Sequence, residues 1–160
     1  MANLYVWTNM YLSDKQKGIQ TAHLVNAFWK KYGIPSVTAR EKEFETEIAS
    51  MFFDWTILSE TIILFDGGNQ LDLKNLLDLF YKTVYPYNCF YEDSDSLNNC
   101  LTAVGIILPE NFRTEEDRAI RISQSICIWD KNRGCYDFEP NEFLKMDGKL
   151  AQLLMDSKLA

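Results

Sequence analysis

The sequence has 160 residues, of which 47% are hydrophobic and 24% are charged, and its formal net charge is −7. These values are typical of a globular protein with one substantial core. The acidic balance counts against nucleic acid as a partner, because phosphate contacts need a basic surface, although an acidic chain can carry a local basic patch. A membrane partner is not expected, since no apolar run reaches the roughly 18 residues that a spanning helix needs.

The N-terminal residues lack the basic start and the apolar run of a signal peptide. The four cysteines are far apart and include no C-x-x-C pair: Cys89, Cys100, Cys127 and Cys135. Because the sequence also contains one histidine, a structural zinc site is not expected. We therefore expect a cytoplasmic protein with reduced thiols and with neither a metal nor another cofactor.

A short β-branched and aromatic run predicts a first strand at Leu4–Thr8, and a long helix is predicted from Ser13 to Tyr32. Ser13 suits the N-cap, and Asp14 complements the positive end of the helix dipole. The helix is expected to end near Gly33. Residues at helical spacing should face the core: Gly18, Thr21, Ala22, Val25, Phe28, Trp29 and Tyr32.

Two more helices and two strands are predicted before residue 92. Helical spacing of apolar residues indicates helices at Ser36–Phe53 and Leu71–Val84. The continuous apolar run Thr61–Phe65 is typical of a strand buried on both faces, and Tyr87–Tyr91 is predicted as the third strand. Between them, Asp66–Asn69 has the composition of a turn, and its two glycines lack a phosphate-binding pattern.

The remaining core element is a fourth strand at Leu101–Leu108, preceded by the acidic segment Glu92–Asn99. That segment lacks the spacing and the closing glutamate of an EF-hand loop, so it predicts a solvated loop without metal. The element order is β-α-α-β-α-β-β. It predicts an α/β three-layer sandwich with a four-stranded mixed sheet, largely parallel because helices separate most strands, with the last two strands able to pair as a hairpin.

Residues 1–110 are expected to form this α/β domain, and residues 111–160 a C-terminal extension packed on the same domain. The extension should end in a helix over Glu142–Lys158, while the type of the apolar stretch Ile122–Trp129 stays open. A terminal helix of this kind is also a candidate for self-association, so the chain is expected to be a monomer or a homodimer.

The first helix carries a recognisable pattern. Its segment K-Q-K-G-I-Q-T-A-H-L places Gln20 and His23 three residues apart. It resembles the G-K-x-A-A-Q-x-x-H-A pattern of the type 2 peptidyl-tRNA hydrolase family. Trp55, shortly before the second strand, and Val104–Pro109, in the place of the family's final A-I-G-P sequence, agree with it. The resemblance covers about residues 3–110 and is closer still to a variant branch in phage-encoded proteins.

The family's loop between its third and fourth strands carries a D-A-G-x-T pattern, which falls on Asp93–Ser96 here. The resemblance implies hydrolysis of the ester between a peptide and the 3′ ribose of tRNA, in the host cytoplasm if the chain is phage-encoded. It implies that His23 or Asp93 orients and deprotonates water. Gln20 would position the substrate or the oxyanion, and the Ser96 hydroxyl would donate a hydrogen bond.

A binding surface for peptidyl-tRNA is implied beside these groups, with Lys15, Gln16, Lys17 and Asp95 as candidate substrate contacts. The family lysine, four residues before the glutamine, is Gln16 in this sequence. Lys15 and Lys17 lie one residue to either side of it, about 100° around the helix. The loop glycine is absent as well.

These departures leave a second hypothesis open: a member of the same fold that has lost the chemistry and binds a host protein or a small nucleotide. A purely structural role for the same residues is also open. His23 would then be a half-buried helix residue hydrogen-bonded to a strand, and Gln16 and Gln20 exposed helix residues. Asp93 and Asp95 would be simple turn residues.

Overall fold

The computed structural model describes residues 1–33, 50–110, 112, 148–154 and 156–157. The chain divides into two compact units, Met1–Pro109 with Ser157–Ala160, and Glu110–Asp156. Most of the predicted second helix, residues 36–49, lies outside the described residues, whereas residues 50–54 are helical. The undecided stretch Ile122–Trp129 also lies outside them.

The first unit contains a four-stranded sheet with helices between the strands. The strands are β1 Ala2–Thr8, β2 Ile62–Asp66, β3 Tyr87–Tyr91 and β4 Leu101–Pro109. The helices are α1 Asp14–Phe28, α2 Gln70–Tyr81 and the single turn α3 Ser94–Leu97. Two π-helical turns follow helical segments at Trp29–Gly33 and Trp55–Ser59. In the described part of the chain, no helix is long and apolar enough to cross a membrane.

The strand order is β2-β1-β4-β3, with β1 parallel to β2 and β4 antiparallel to both of its neighbours. The predicted mixed sheet and the β3–β4 hairpin are confirmed, but the expectation of a largely parallel sheet is wrong. Strands joined by a short connection must run antiparallel, and β4 inserts between β1 and β3. Only one of the three neighbouring pairs in this sheet is therefore parallel.

Strand β2 is not buried on both faces as predicted. It lies at an edge of the sheet, and the Ile62 side chain is 42% exposed. An apolar run does not distinguish an edge strand from a central one, because both can carry the same residues. The fully buried strand is β4, which has neighbours on both sides and is buried along its whole length.

Alternate residues of β1 enter two different apolar layers. Leu4 and Val6 belong to a buried cluster with Leu24 and Phe28 of α1. The ring of Trp7 lies 5.4 Å from that of Phe80 in α2. Because successive strand residues point to opposite faces, α1 and α2 cover opposite faces of the sheet. The three-layer α/β arrangement predicted from the element order is thus observed.

Helix α1 begins as predicted, with Ser13 as its N-cap in a capping box with Gln16. Its buried row is Gln20, Leu24 and Phe28. The predicted stripe is partly wrong, because three of its members are exposed: Gly18, Ala22 and Trp29. The α-helix also ends at Phe28 and continues as a π-helical turn, so later residues no longer keep the 3.6-residue spacing.

The turn between β2 and α2 is observed where it was predicted. Gly68 has a φ of 72°, a conformation that glycine adopts without steric cost. Asn69 is the N-cap of α2 and forms a capping box with Asp72. The helix ends at Tyr81, three residues before the predicted end at Val84.

The second unit is described at Glu110, Phe112 and in a helix over residues 148–154. This helix agrees with part of the predicted terminal helix. Residues 142–147 of the predicted helix are not among the described residues. Leu150 and Leu154, one helical turn apart, are both buried.

Candidate functional site

Gln20 is the buried polar residue of α1, with 6% of its surface exposed. Its amide nitrogen donates a hydrogen bond of 2.7 Å to Oε2 of Glu92. Its amide oxygen accepts one of 3.0 Å from the Thr102 hydroxyl. The side chain is therefore held at both ends, one by the residue that follows β3 and the other by β4. The interpretation of Gln20 as an exposed helix residue does not apply.

An irregularity in the β3–β4 pairing brings Thr102 to this position. Phe90 pairs with Ala103 but Tyr91 pairs with Leu101, so Thr102 is the extra residue of a β-bulge. Ala103 faces the α1 layer, and strict alternation would turn Thr102 to the opposite layer. The bulge redirects its side chain towards Gln20, which is one of the known uses of bulges near functional sites.

His23 lies one turn after Gln20 and is exposed. Its ring packs flat on Phe90 of β3, with centroids 4.8 Å apart and an interplanar angle of 10°. Among the described residues, no hydrogen bond to its ring nitrogens is formed. The position differs from a half-buried histidine bonded to a strand. Stacking on Phe90 thus orients the imidazole of this exposed residue.

Gln16 belongs to the N-terminal cap of α1. Its side-chain oxygen accepts hydrogen bonds from the backbone N–H of Ser13 at 3.0 Å and from the Ser13 hydroxyl at 2.9 Å. The residue at the family's lysine position is thus part of a helix cap. Lys15 is exposed and Lys17 is partly exposed.

The acidic loop after β3 contains the short helix α3, where a plain loop was predicted. Asp93 and Asp95 are both exposed, and the Asp93 carbonyl accepts a hydrogen bond of 3.4 Å from the Asn99 N–H. Ser96 lies in α3, and its side chain lies outside the description. The carboxylate that Gln20 contacts belongs to Glu92, the residue before the predicted Asp93.

Glu92 and Thr102 are the site residues that the sequence analysis missed. The sequence marks each of them as a candidate. Glu92 directly precedes Asp93 at the end of a strand, and Thr102 is the one polar residue in the otherwise apolar β4. Neither feature predicts a hydrogen bond to Gln20. The two contacts join residues 72 and 82 positions apart.

Cys89 is poorly suited to act as a nucleophile, since the thiolate is the reactive form. Burial raises the pKa of the Cys89 thiol, and the nearby Lys31 ammonium opposes this without reversing it. Burial in turn lowers the pKa of Lys31. Within the described ranges no group of three or more His, Cys, Asp or Glu side chains could hold a metal ion. Cys127 and Cys135 lie outside those ranges.

No family model matches this sequence, and a search of curated proteins found no match either. Its function is therefore inferred from the side chains of the site. Gln20, Glu92 and Thr102 form one hydrogen-bonded chain, and His23 stands beside it on the same helix. The Gln20 amide orients the Glu92 carboxylate, and His23 lies one helical turn from Gln20, so both are candidates for proton transfer to a bound substrate.

Proposed function

We propose that this chain is an esterase of the peptidyl-tRNA hydrolase type, which cleaves the ester between a peptide and the 3′ ribose of tRNA. The observation that carries the proposal is the buried Gln20 amide, which ties α1 to the end of β3 through Glu92. In the family that the sequence resembles, a glutamine on the first helix and the loop after the third strand both belong to the active site. Here the same two elements are in contact.

Ester hydrolysis needs a group that activates water and donors that stabilise the developing oxyanion. His23 supplies an exposed imidazole that can orient the attacking water, and Asp93 is the alternative residue for this role in the adjoining loop. The Ser96 hydroxyl is the proposed donor from the loop. Lys15 and Lys17 supply positive charge for the tRNA phosphates, and Asp95 is a further proposed substrate contact.

The direct test is release of peptide from a peptidyl-tRNA analogue by the purified protein at low salt. Wild-type protein should release peptide, and His23→Ala and Asp93→Asn should each slow the reaction. Lys74→Gln, an exposed charge change on α2, is the control and should leave the rate unchanged. Absence of release by wild-type protein, or full activity of both variants, would contradict the proposal.

A second candidate function is favoured by Gln16. Because its side chain is committed to the Ser13 cap, it does not replace the family lysine at the substrate. A chain that lost the reaction in this way would keep the fold as a binding protein for a host protein or a small nucleotide. Calorimetric titration with a nucleoside monophosphate distinguishes the two. Binding that depends on His23, without any peptide release, would support the second candidate.

A further inference from the structure

We infer that Glu92 is the general base of this site: it deprotonates the water that attacks the ester carbonyl, and His23 or Asp93 only orients that water. The inference rests on the proposed esterase function and assigns a catalytic role to a residue outside the pattern that the sequence shares with the family.

The position of Glu92 is fixed by its backbone. It follows β3 directly, and its N–H donates a hydrogen bond of 3.0 Å to the carbonyl oxygen of Cys100, across the hairpin. Glu92 is partly exposed and thus borders solvent. Proton transfer needs a group held within hydrogen-bonding distance of its water, and a fixed backbone provides that.

The two carboxylate oxygens of Glu92 have different surroundings. Oε2 accepts the 2.7 Å hydrogen bond from the Gln20 amide. Among contacts between described residues, Oε1 forms no hydrogen bond and no ion pair. Within the described part of the chain, one oxygen therefore holds the carboxylate in place, while the other has no protein partner and can accept a hydrogen bond from water.

Gln20 acts as a positioning residue in this arrangement. Thr102 donates to its amide oxygen, so the amide nitrogen must point towards Glu92. A neutral amide orients the carboxylate without pairing it with a cation. Burial of Gln20 removes competing water from this contact and strengthens it.

The proposed step is balanced by one water molecule. Glu92 takes a proton from water as the water oxygen bonds to the carbonyl carbon. The tetrahedral intermediate then breaks its bond to the ribose 3′ oxygen, and that oxygen takes the proton from Glu92. The products are the free peptide and a 3′ hydroxyl, and Glu92 returns to its starting state.

The experiment compares Glu92→Gln with wild-type protein in steady-state hydrolysis of a peptidyl-tRNA analogue. Gln keeps the size of the side chain and removes the base, so kcat should fall by about 100- to 10,000-fold with little change in KM. Glu60→Gln, the same change at an exposed site outside the proposed machinery, is the matched control and should behave as wild type.

Gln20→Glu gives a readout that a structural role would not produce. It places a second carboxylate against Glu92, and like charges disfavour ionisation, so the acid limb of the kcat/KM profile should move to higher pH. An unchanged acid limb, or a Glu92→Gln variant within threefold of wild type, overturns the assignment. Thermal melting shows whether each variant is folded. If Glu92→Gln is unfolded, the pH profile of Gln20→Glu tests the assignment of Glu92 as general base. Inactive wild-type protein would instead refute the esterase function itself.

Discussion

The Thr102 hydroxyl lies 3.0 Å from the side-chain oxygen of Gln20, although strict alternation along β4 would turn Thr102 to the other face of the sheet. The bulge at this point thus joins a central strand to the helix of the candidate site. Both residues are buried, at 1% and 6% exposure, so their hydrogen bond is shielded from water.

Replacing Thr102 with Val should test this contact. The Gln20 oxygen would stay buried without its donor, and an unsatisfied buried polar group costs about 1–3 kcal/mol. We expect the free energy of unfolding to fall by about this amount, measured by urea denaturation. Thr102→Ser keeps the hydroxyl and should lose less. A Thr102→Val variant as stable as wild type would show that the hydrogen bond does not contribute to stability.

The cap of α1 should contribute measurably to stability. Ser13 accepts a hydrogen bond from the Gln16 N–H and donates to the Gln16 side chain. Ser13→Ala removes both, and the loss of an N-cap costs about 0.5–2 kcal/mol. Asn26→Ala, an exposed change in the same helix, is the control and should not destabilise the protein. A Ser13→Ala variant as stable as wild type would argue against the cap.

The apolar contact between α1 and the sheet depends on Leu24, which is fully buried. Leu24→Ala should destabilise the protein by about 2–5 kcal/mol, because it removes buried methyl groups and leaves a cavity. Ile19→Ala on the same helix is the control, since Ile19 is 45% exposed. Similar unfolding midpoints for the two variants would contradict the observed packing.

Tyr32 predicts a stability change at alkaline pH. Its hydroxyl donates to the carbonyl oxygen of Tyr87, and burial is the main cause that raises the pKa of Tyr32 to about 12. A pKa raised in the folded state contributes stability that is present below the ordinary value near 10 and is lost as the pH rises towards 12.

We therefore expect the free energy of unfolding to decline between about pH 10 and pH 12, with Tyr32 ionising late in a tyrosinate absorbance titration. Tyr32→Phe should remove a late-titrating component. Tyr11→Phe, which changes a side chain that is 79% exposed, is the control and should leave that component in place. Loss of the late component in Tyr11→Phe would show that Tyr32 is not its source.

The proposed tRNA contacts predict a salt effect. If Lys17 neutralises one phosphate, Lys17→Gln should raise KM and reduce the slope of log affinity against log salt by about 0.7–0.9. The same substitution at Lys74, an exposed residue of α2, serves as the comparison and should leave the slope unchanged. An unchanged slope for Lys17→Gln would remove that residue from the proposed binding surface.

Local sequence signals were sufficient to predict several elements of secondary structure. The β-branched and aromatic run at Tyr87–Tyr91 was predicted as a strand with the observed bounds, and Ser13 was predicted as the N-cap of α1. These features depend on backbone preferences and on hydrogen bonds between residues a few positions apart. In the folded chain, Gln20 contacts Glu92, the first residue of the loop after β3.

Tertiary structure alone decided which residues meet. Periodicity placed Gln20 on α1, but its burial depends on two partners, Glu92 and Thr102, that lie far away in the sequence and reach it through strand pairing and a bulge. The position of β2 at the sheet edge was undetermined for the same reason, since it follows from the insertion of β4 beside β1. A sequence pattern specifies what each element can bury, and only the packed elements specify what each side chain contacts.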